Sequence, residues 1–277
     1  MKITTQAAAL LFCSICAADS TSFTPLYGEG WGGPVQVAEN LTLTSNSSSG
    51  FDLVEATLVM PHLTLPKNPR EQVEQYTAAF WLGMDGVVSD PVNPFAVRGL
   101  WQAGVIMSVW TNGSIEYNGF HEWIPEDPIF LSPEELSISE GDHVYVAVST
   151  SAAGFTGTTT FTNLNTGQTY SLTRDAPHPP RGPVWRAPGS SAEWIMEAGT
   201  YVNGPQYILP DWGIATFLDA RACYSNGKCI GAGDANANPA NTLMAIILHN
   251  ETQTVYTESY ADNDQVWIAY VDEPFSG

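Results

Sequence analysis

Two short segments set polar side chains inside apolar, strand-like runs, and chemistry is expected there. One is Gly99-Leu100-Trp101-Gln102-Ala103-Gly104-Val105, and the other is Ser191-Ala192-Glu193-Trp194-Ile195-Met196-Glu197. On a strand, alternate residues share a face, so Glu193, Ile195 and Glu197 line one side. A carboxyl group beside Trp and Met side chains is partly desolvated. Its pKa then rises, which suits general acid–base work. The same spacing also describes an amphipathic strand with both glutamates facing solvent, and the residues alone leave both readings open.

Other chemistries find little support. The histidines, at 62, 121, 143, 178 and 249, lack metal-ligand spacing, so no metal site is expected. There is no Gly-x-Ser-x-Gly turn and no Asp-Thr-Gly or Asp-Ser-Gly signature. No Gly-rich phosphate loop opens a helix, and no cofactor is expected.

The elements that must carry these residues read as strands. Val144 to Val148 alternates with period two, as do stretches in Asp52 to Met60, Val105 to Trp110, Thr158 to Leu164, Ile214 to Leu218, Thr242 to Leu248 and Gln265 to Val271. Asn165 to Gln168 reads as a hairpin, and Ser139 to Asp142 as a turn into the next strand. One short helical turn is expected near Pro69 to Gln75. Ala176 to Gly189 carries five prolines and is expected to be a surface loop. Many short strands with regular turn signals predict an all-β fold, an antiparallel sandwich or barrel.

At 277 residues, with 44% hydrophobic and 11% aromatic residues, the chain can bury one large core. Nine Lys and Arg stand against 29 Asp and Glu, a formal charge of −20. That balance argues against nucleic-acid partners, because neutralising phosphates needs cations. It suits a secreted protein that stays folded in acid, where carboxylates take up protons and positive self-repulsion stays small.

The N-terminus resembles a secretory signal: Met1-Lys2, an apolar run from Ala7 to Cys16, then small residues at Ala17-Ala18. The run is too short to span a membrane, so no membrane partner is expected. Residues 1–18 are read as this signal. Cys13 and Cys16 leave with it, and Cys223 and Cys229, flanking an Asn226-Gly227 turn, are expected to form a disulfide. Sequons at Asn40, Asn46, Asn112 and Asn250 fit the secretory route as glycosylation sites.

A wider set of motifs then falls into order. These are Trp31-Gly32-Gly33, Phe80-Trp81-Leu82-Gly83-Met84-Asp85-Gly86, Trp101-Gln102-Ala103-Gly104, His121-Glu122-Trp123-Ile124-Pro125, Ile138 to Asp142, Asn163 to Gln168 and Ala192-Glu193-Trp194-Ile195-Met196-Glu197. Together they resemble the glutamic peptidases (peptidase family G1, the eqolisins), over Gly30 to Tyr270. The resemblance implies a β-sandwich of two large antiparallel sheets, of concanavalin A-like or jelly-roll type. It implies a secreted, acid-acting, pepstatin-insensitive endopeptidase of polypeptides. Its catalytic pair would be Gln102 and Glu197, with Trp31, Trp81, Asp85 and Glu122 supporting the pair or binding substrate. Residues 19–29 would be a short pro-segment or a disordered N-terminus, and residues 30–277 one peptidase domain, expected to be a monomer.

Such a pair makes chemical sense. With no Ser or Cys nucleophile in view, the nucleophile is water. Glu197 is expected to act as an ionised base of low pKa, and Gln102 to hold the water and donate to the oxyanion. The rival reading is a concanavalin-like glycoside hydrolase or a carbohydrate-binding protein, suggested by Trp-rich sandwiches with paired carboxylates. A retaining glycosidase needs carboxyls roughly 5–5.5 Å apart. Glu193 and Glu197 on a regular strand lie about 13 Å apart at the Cα, so a bulge would be required.

Overall fold

The computed structural model describes residues 23–39, 41, 48–87, 99–151, 153–178, 184–198, 208–234, 242–249 and 252–275. The signal segment and the sequons at Asn40, Asn46 and Asn250 lie outside the described residues. The strands are β1 (Thr24–Gly28), β2 (Trp31–Val37), β3 (Phe51–Val59), β4 (Gln75–Met84), β5 (Trp101–Trp110), β6 (Ile115–Trp123), β7 (Ile129–Phe130) and β8 (His143–Thr150). They continue as β9 (Thr156–Asn163), β10 (Thr169–Asp175), β11 (Ser191–Ala198), β12 (Ile214–Tyr224), β13 (Cys229–Gly231), β14 (Thr242–His249), β15 (Thr254–Asp262) and β16 (Gln265–Pro274).

No helix occurs among the described residues. The helical turn expected near Pro69 to Gln75 is a single bend, with Val73 N–H donating to Arg70 O at 3.1 Å before β4 begins. Residues 67–72 are exposed, and one turn without tertiary cover does not offset the cost of helix nucleation.

The strands form two stacked sheets. The front sheet runs β1-β14-β2-β11-β4-β5-β6-β7. The back sheet runs β10-β9-β8-β3-β12-β16-β15, with β13 beside β12. Pairing is antiparallel except between β1 and β14. The end of β14 crosses to pair with β15 through Leu248 and His249, joining the sheets along one side. The expected antiparallel sandwich is therefore the fold.

Period-two alternation explains the stacking. Along β9 every second residue is buried, and the hydroxyls between them face out. Strand β11 is buried almost throughout, because β2 and β4 flank it and both of its faces are covered. Between the sheets, Phe80 meets Phe217 with ring centroids 4.4 Å apart. Trp101, Trp123, Trp194 and Phe161 are fully buried in the same core. Burying a side chain of this kind stabilises by about 1.5–3 kcal/mol.

The turns follow their residue types. Gly227 has φ 83° at the tip between β12 and β13, where Cys223 pairs with Cys229 and the two form a disulfide. Gly167 closes the β9–β10 hairpin at φ 78°. Of the Pro-rich segment, residues 179–183 lie outside the described residues, and against the surface-loop expectation residues 186–189 are buried. Its backbone groups are taken up by neighbours, with Ala187 N–H donating to Gly154 O at 3.0 Å and Trp123 Nε1 to Trp185 O at 2.8 Å. It must lead the chain into the buried strand β11, and buried backbone needs such partners.

Gly157 on β9 lies where the two sheets pack closely. A Cβ there would sit 2.6 Å from Trp123 Cζ3 and 2.7 Å from Trp101 Nε1. Gly157→Ala should therefore lower stability by about 1–3 kcal/mol through overpacking. A denaturant midpoint equal to that of the parent protein would show that the tryptophan pair yields freely.

Candidate active site

The outer face of the front sheet is a grid. One transverse row reads Val35, Glu193, Gly83, Gln102, Glu122, each directly opposite the next. The next row reads Ile195, Trp81, Gly104, Phe120, and the third Trp31, Glu197, Ala79, Ile106, Asn118. Gln102 and Glu122 are thus ladder partners, and Gln102 Nε2 donates to Glu122 Oε2 at 2.5 Å. Glu197 stands two rows along, yet the Glu122 charge acts on it and helps to raise its pKa. Side chains of the first and third rows therefore share the outer face, with the indole row between them.

Two glycines make room for the indole of Trp81. A Cβ on Gly104 would lie 2.5 Å from Trp81 Cβ. One on Gly83 would lie 3.0 Å from Trp81 Cζ3 and 3.0 Å from Gln102 Cβ. So placed, Trp81 Nε1 donates to Glu197 Oε2 at 2.7 Å. Trp31 packs edge-on against Trp81 with centroids 5.0 Å apart, and its side chain also hydrogen-bonds Glu197. Apolar Leu100, Phe120 and Ile195 pack around Trp81.

Asp85 does not touch the pair. It is fully buried in the left-handed region at φ 71°, a conformation that Asp tolerates. Its carboxyl accepts from Gly189 N–H at 2.8 Å, from Ser190 N–H at 2.6 Å and from the Ser190 hydroxyl. It pins the chain entering β11, and so acts on Glu193 and Glu197 through their strand. Glu193 is fully buried, which rules out the solvent-facing reading of that residue. Asn112, exposed in the β5–β6 turn, accepts from Ser114 N–H at 2.9 Å and leaves its amide nitrogen accessible.

Burial dominates the titration of these groups. It pushes Glu197 up to about 7, against the indole hydrogen bonds that favour the anion. It pushes Asp85 up to about 6, against four hydrogen bonds that lower it. Burial lifts Glu193 well above its ordinary range, the nearby Ser191 hydroxyl pulls the other way, and the Asp85 charge raises it further. Glu122 is raised by desolvation, with the Gln102 hydrogen bond pulling the other way. The expectation of a low pKa for Glu197 is therefore not met, because two indole donors do not replace the water that burial removes. Among the described residues no group of three or more His, Cys, Asp and Glu is placed to hold a metal ion.

A family model described as the Peptidase A4 family matches residues 31–270. The chain belongs to the Peptidase A4 family. It is a peptidase, a hydrolase of peptide bonds. A crystal structure of scytalido-glutamic peptidase with a transition state analog inhibitor is similar at TM-score 0.63 and 21% identity, covering 88% of this chain and 98% of that one. The structure of SCP-B, a member of the eqolisin family of peptidases in complex with the tripeptide Ala-Ile-His, is similar at TM-score 0.60 and 20% identity, covering 88% and 98%. Among curated proteins no sequence matches the chain.

Reading the residues of this peptidase in order missed two things. The transverse register, which makes Glu122 the partner of Gln102, appears only once strands are paired. The donors to Asp85 come from Gly189 and Ser190, and their one sequence signal is a Gly-Ser-Ser turn just before the Glu193 strand.

The shifts set a sign for stability against pH. Asp85 and Glu197 have raised folded pKa values, so their contribution is full below the ordinary values of 3.8 and 4.5 and is lost as pH rises through about 6 and about 7. Glu193 acts in the same direction. His121 opposes them. Burial, and then the Arg174 charge, lower it to about 4, so its contribution is full above the ordinary 6.5 and lost as pH falls through about 4. Three carboxyls outweigh one imidazole, so melting temperature should peak at about pH 4–5 and fall towards neutrality. Melting temperatures that climb steadily to about pH 8 would show that favourably held carboxylates elsewhere dominate.

Proposed function

We propose that this peptidase is a secreted, acid-acting endopeptidase that uses Glu197 and Gln102 to add water across a peptide bond. The observation that carries the reading is that Glu197, held by Trp81 and Trp31, and Gln102, held by Glu122, stand on one sheet face. With its pKa near 7, Glu197 carries a proton in acid and has one oxygen free to accept another. As water attacks the scissile carbonyl carbon, its proton passes to one Glu197 oxygen. The other Glu197 oxygen gives its proton to the carbonyl oxygen, and a neutral gem-diol forms. Collapse runs the relay again. The C–N bond breaks as Glu197 gives a proton to the leaving nitrogen and takes one from a gem-diol hydroxyl. Gln102 commits one amide N–H to Glu122, and its second N–H serves the carbonyl oxygen as charge builds there.

Secretion is supported by the signal-like residues 1–18 and by the Cys223–Cys229 disulfide, which suits an oxidising compartment. Polypeptides are the substrates, and the tripeptide bound in the similar SCP-B structure agrees with that class. The glycosidase reading loses ground on geometry. β11 keeps one unbroken register against β4 from Ala192 to Ala198, with no bulge to draw Glu193 and Glu197 together.

Glu197→Gln should lower kcat on a peptide substrate by about 10²- to 10⁴-fold, since an amide cannot pass protons both ways. Gln102→Ala should cost about 10²- to 10³-fold by removing the carbonyl-oxygen donor. Wild-type turnover by Glu197→Gln would sink the assignment.

The pH profile is a separate test. kcat/KM should fall as pH rises through about 7, where Glu197 loses its proton. A rate that plateaus at alkaline pH would mean that an ionised base is the working form. Activity should also survive chelators and pepstatin, and inhibition by a chelator would point to a metal in the reaction.

A further inference from the structure

Four buried polar atoms at one end of the front face have no hydrogen-bond partner: Gln102 Oε1, both carboxyl oxygens of Glu193, and Ser191 Oγ. Ser191 and Glu193 alternate on β11 and share its outer face. Gln102 lies in the Glu193 row, with only Gly83 between them. Buried polar groups almost always have a protein or water partner, and an unmade bond is costly. Orphaned atoms that cluster in this way point to a shared one. Adjacent strands lie about 4.8 Å apart, so the Cα atoms of Glu193 and Gln102 lie about 10 Å apart across Gly83. Two side chains of this length can reach towards each other across that distance. The rim of the Trp81 indole lies at the same notch and screens it.

We propose that Glu193 is a positioning residue for Gln102, its carboxyl and the Ser191 hydroxyl holding a water molecule against Gln102 Oε1. This rests on the reading of Gln102 as a member of the catalytic pair. The carboxyl, kept protonated by burial, donates its O–H to the water oxygen, and the water donates to Gln102 Oε1 and to Ser191 Oγ. The amide is then held at both ends, Nε2 on Glu122 and Oε1 on the water. Its orientation is fixed, and its second N–H stays available for the substrate carbonyl. Without the Glu193 donor, the amide gains the freedom to turn over and present oxygen where nitrogen is needed.

The test is kcat, KM and melting temperature for Glu193→Gln and Glu193→Met, beside Glu197→Gln. Glu193→Met keeps the side-chain volume but removes the donor. It should lower kcat about tenfold with KM within about twofold, the pattern of a lost transition-state alignment. Glu193→Gln, whose amide donates in place of the carboxyl, should restore kcat to within about threefold of the parent. The proposal is overturned if Glu193→Met keeps kcat within about twofold, or if Glu193→Gln falls as far as Glu193→Met. Should Glu193→Met fail to fold, a high-resolution crystal structure of the parent protein decides. A water within about 3.2 Å of both Gln102 Oε1 and a Glu193 oxygen supports the proposal, and no such water overturns it. Full activity in Glu197→Gln would overturn the catalytic reading itself, a failure distinct from that of Glu193.

Discussion

Taking carboxyl groups out of water without a cation beside them is the constraint on which this site depends. None of the shifts of Glu122, Glu193 and Glu197 has a cation among its causes. What opposes desolvation is a small set of neutral donors: indole N–H groups, one amide and nearby hydroxyls. Neutral donors recover only part of the lost hydration, so the carboxyls keep their protons further up the pH scale than exposed ones do. A salt bridge would have held Glu197 as a permanent anion. Indole donors leave it able to carry a proton or release it, which a proton relay requires.

The sheet supplies the rigidity that this arrangement needs. Gln102, Glu122 and Glu197 all stand on paired strands inside the sheet, not on loops. Their Cα positions are set by strand pairing, on both sides for Gln102 and Glu197 and on the β5 side for Glu122. Two missing side chains, at Gly83 and Gly104, let the Trp81 indole lie against the sheet and bring its N–H to Glu197. On the opposite face of the same strands, Trp101 and Trp123 pack between the sheets. The alternation that puts Gln102 and Glu122 on one face thus puts their tryptophan neighbours in the core. Packing and chemistry are joined residue by residue along β5 and β6.

That alternation is also why much of the fold was legible in the sequence. Thr158 to Leu164 could be read as a strand because it buries one face and wets the other. The buried strand β11 is harder, since burial on both sides erases the polar signal. Its glutamates then look like solvent-facing residues, although Glu193 is fully buried. Pairing was illegible for a different reason. Nothing local to Gln102 announces Glu122 twenty residues on, because the register depends on where the β5–β6 turn falls. The Pro-rich segment misled for a third reason. Its composition suits a surface loop, but its position before a central strand forces residues 186–189 inside.

The acidic composition and the site obey one logic at two scales. With 29 acidic residues against nine basic ones, most exposed carboxylates lack a partner, and ionising them all sets the surface against itself. Protonation relieves that repulsion in the same pH range that keeps Asp85 and Glu193 neutral inside. His121 works against the trend. Between Trp101 and Tyr170, it is a base that buried aromatic rings keep uncharged until acid forces a proton on it. Towards its acid limit the fold loses the contribution of one buried imidazole, and towards its neutral limit that of buried carboxyls. The pH at which Glu197 carries its proton lies between those limits. Catalysis and stability are thus drawn to the same solution conditions by the same physical term, the cost of a charge removed from water.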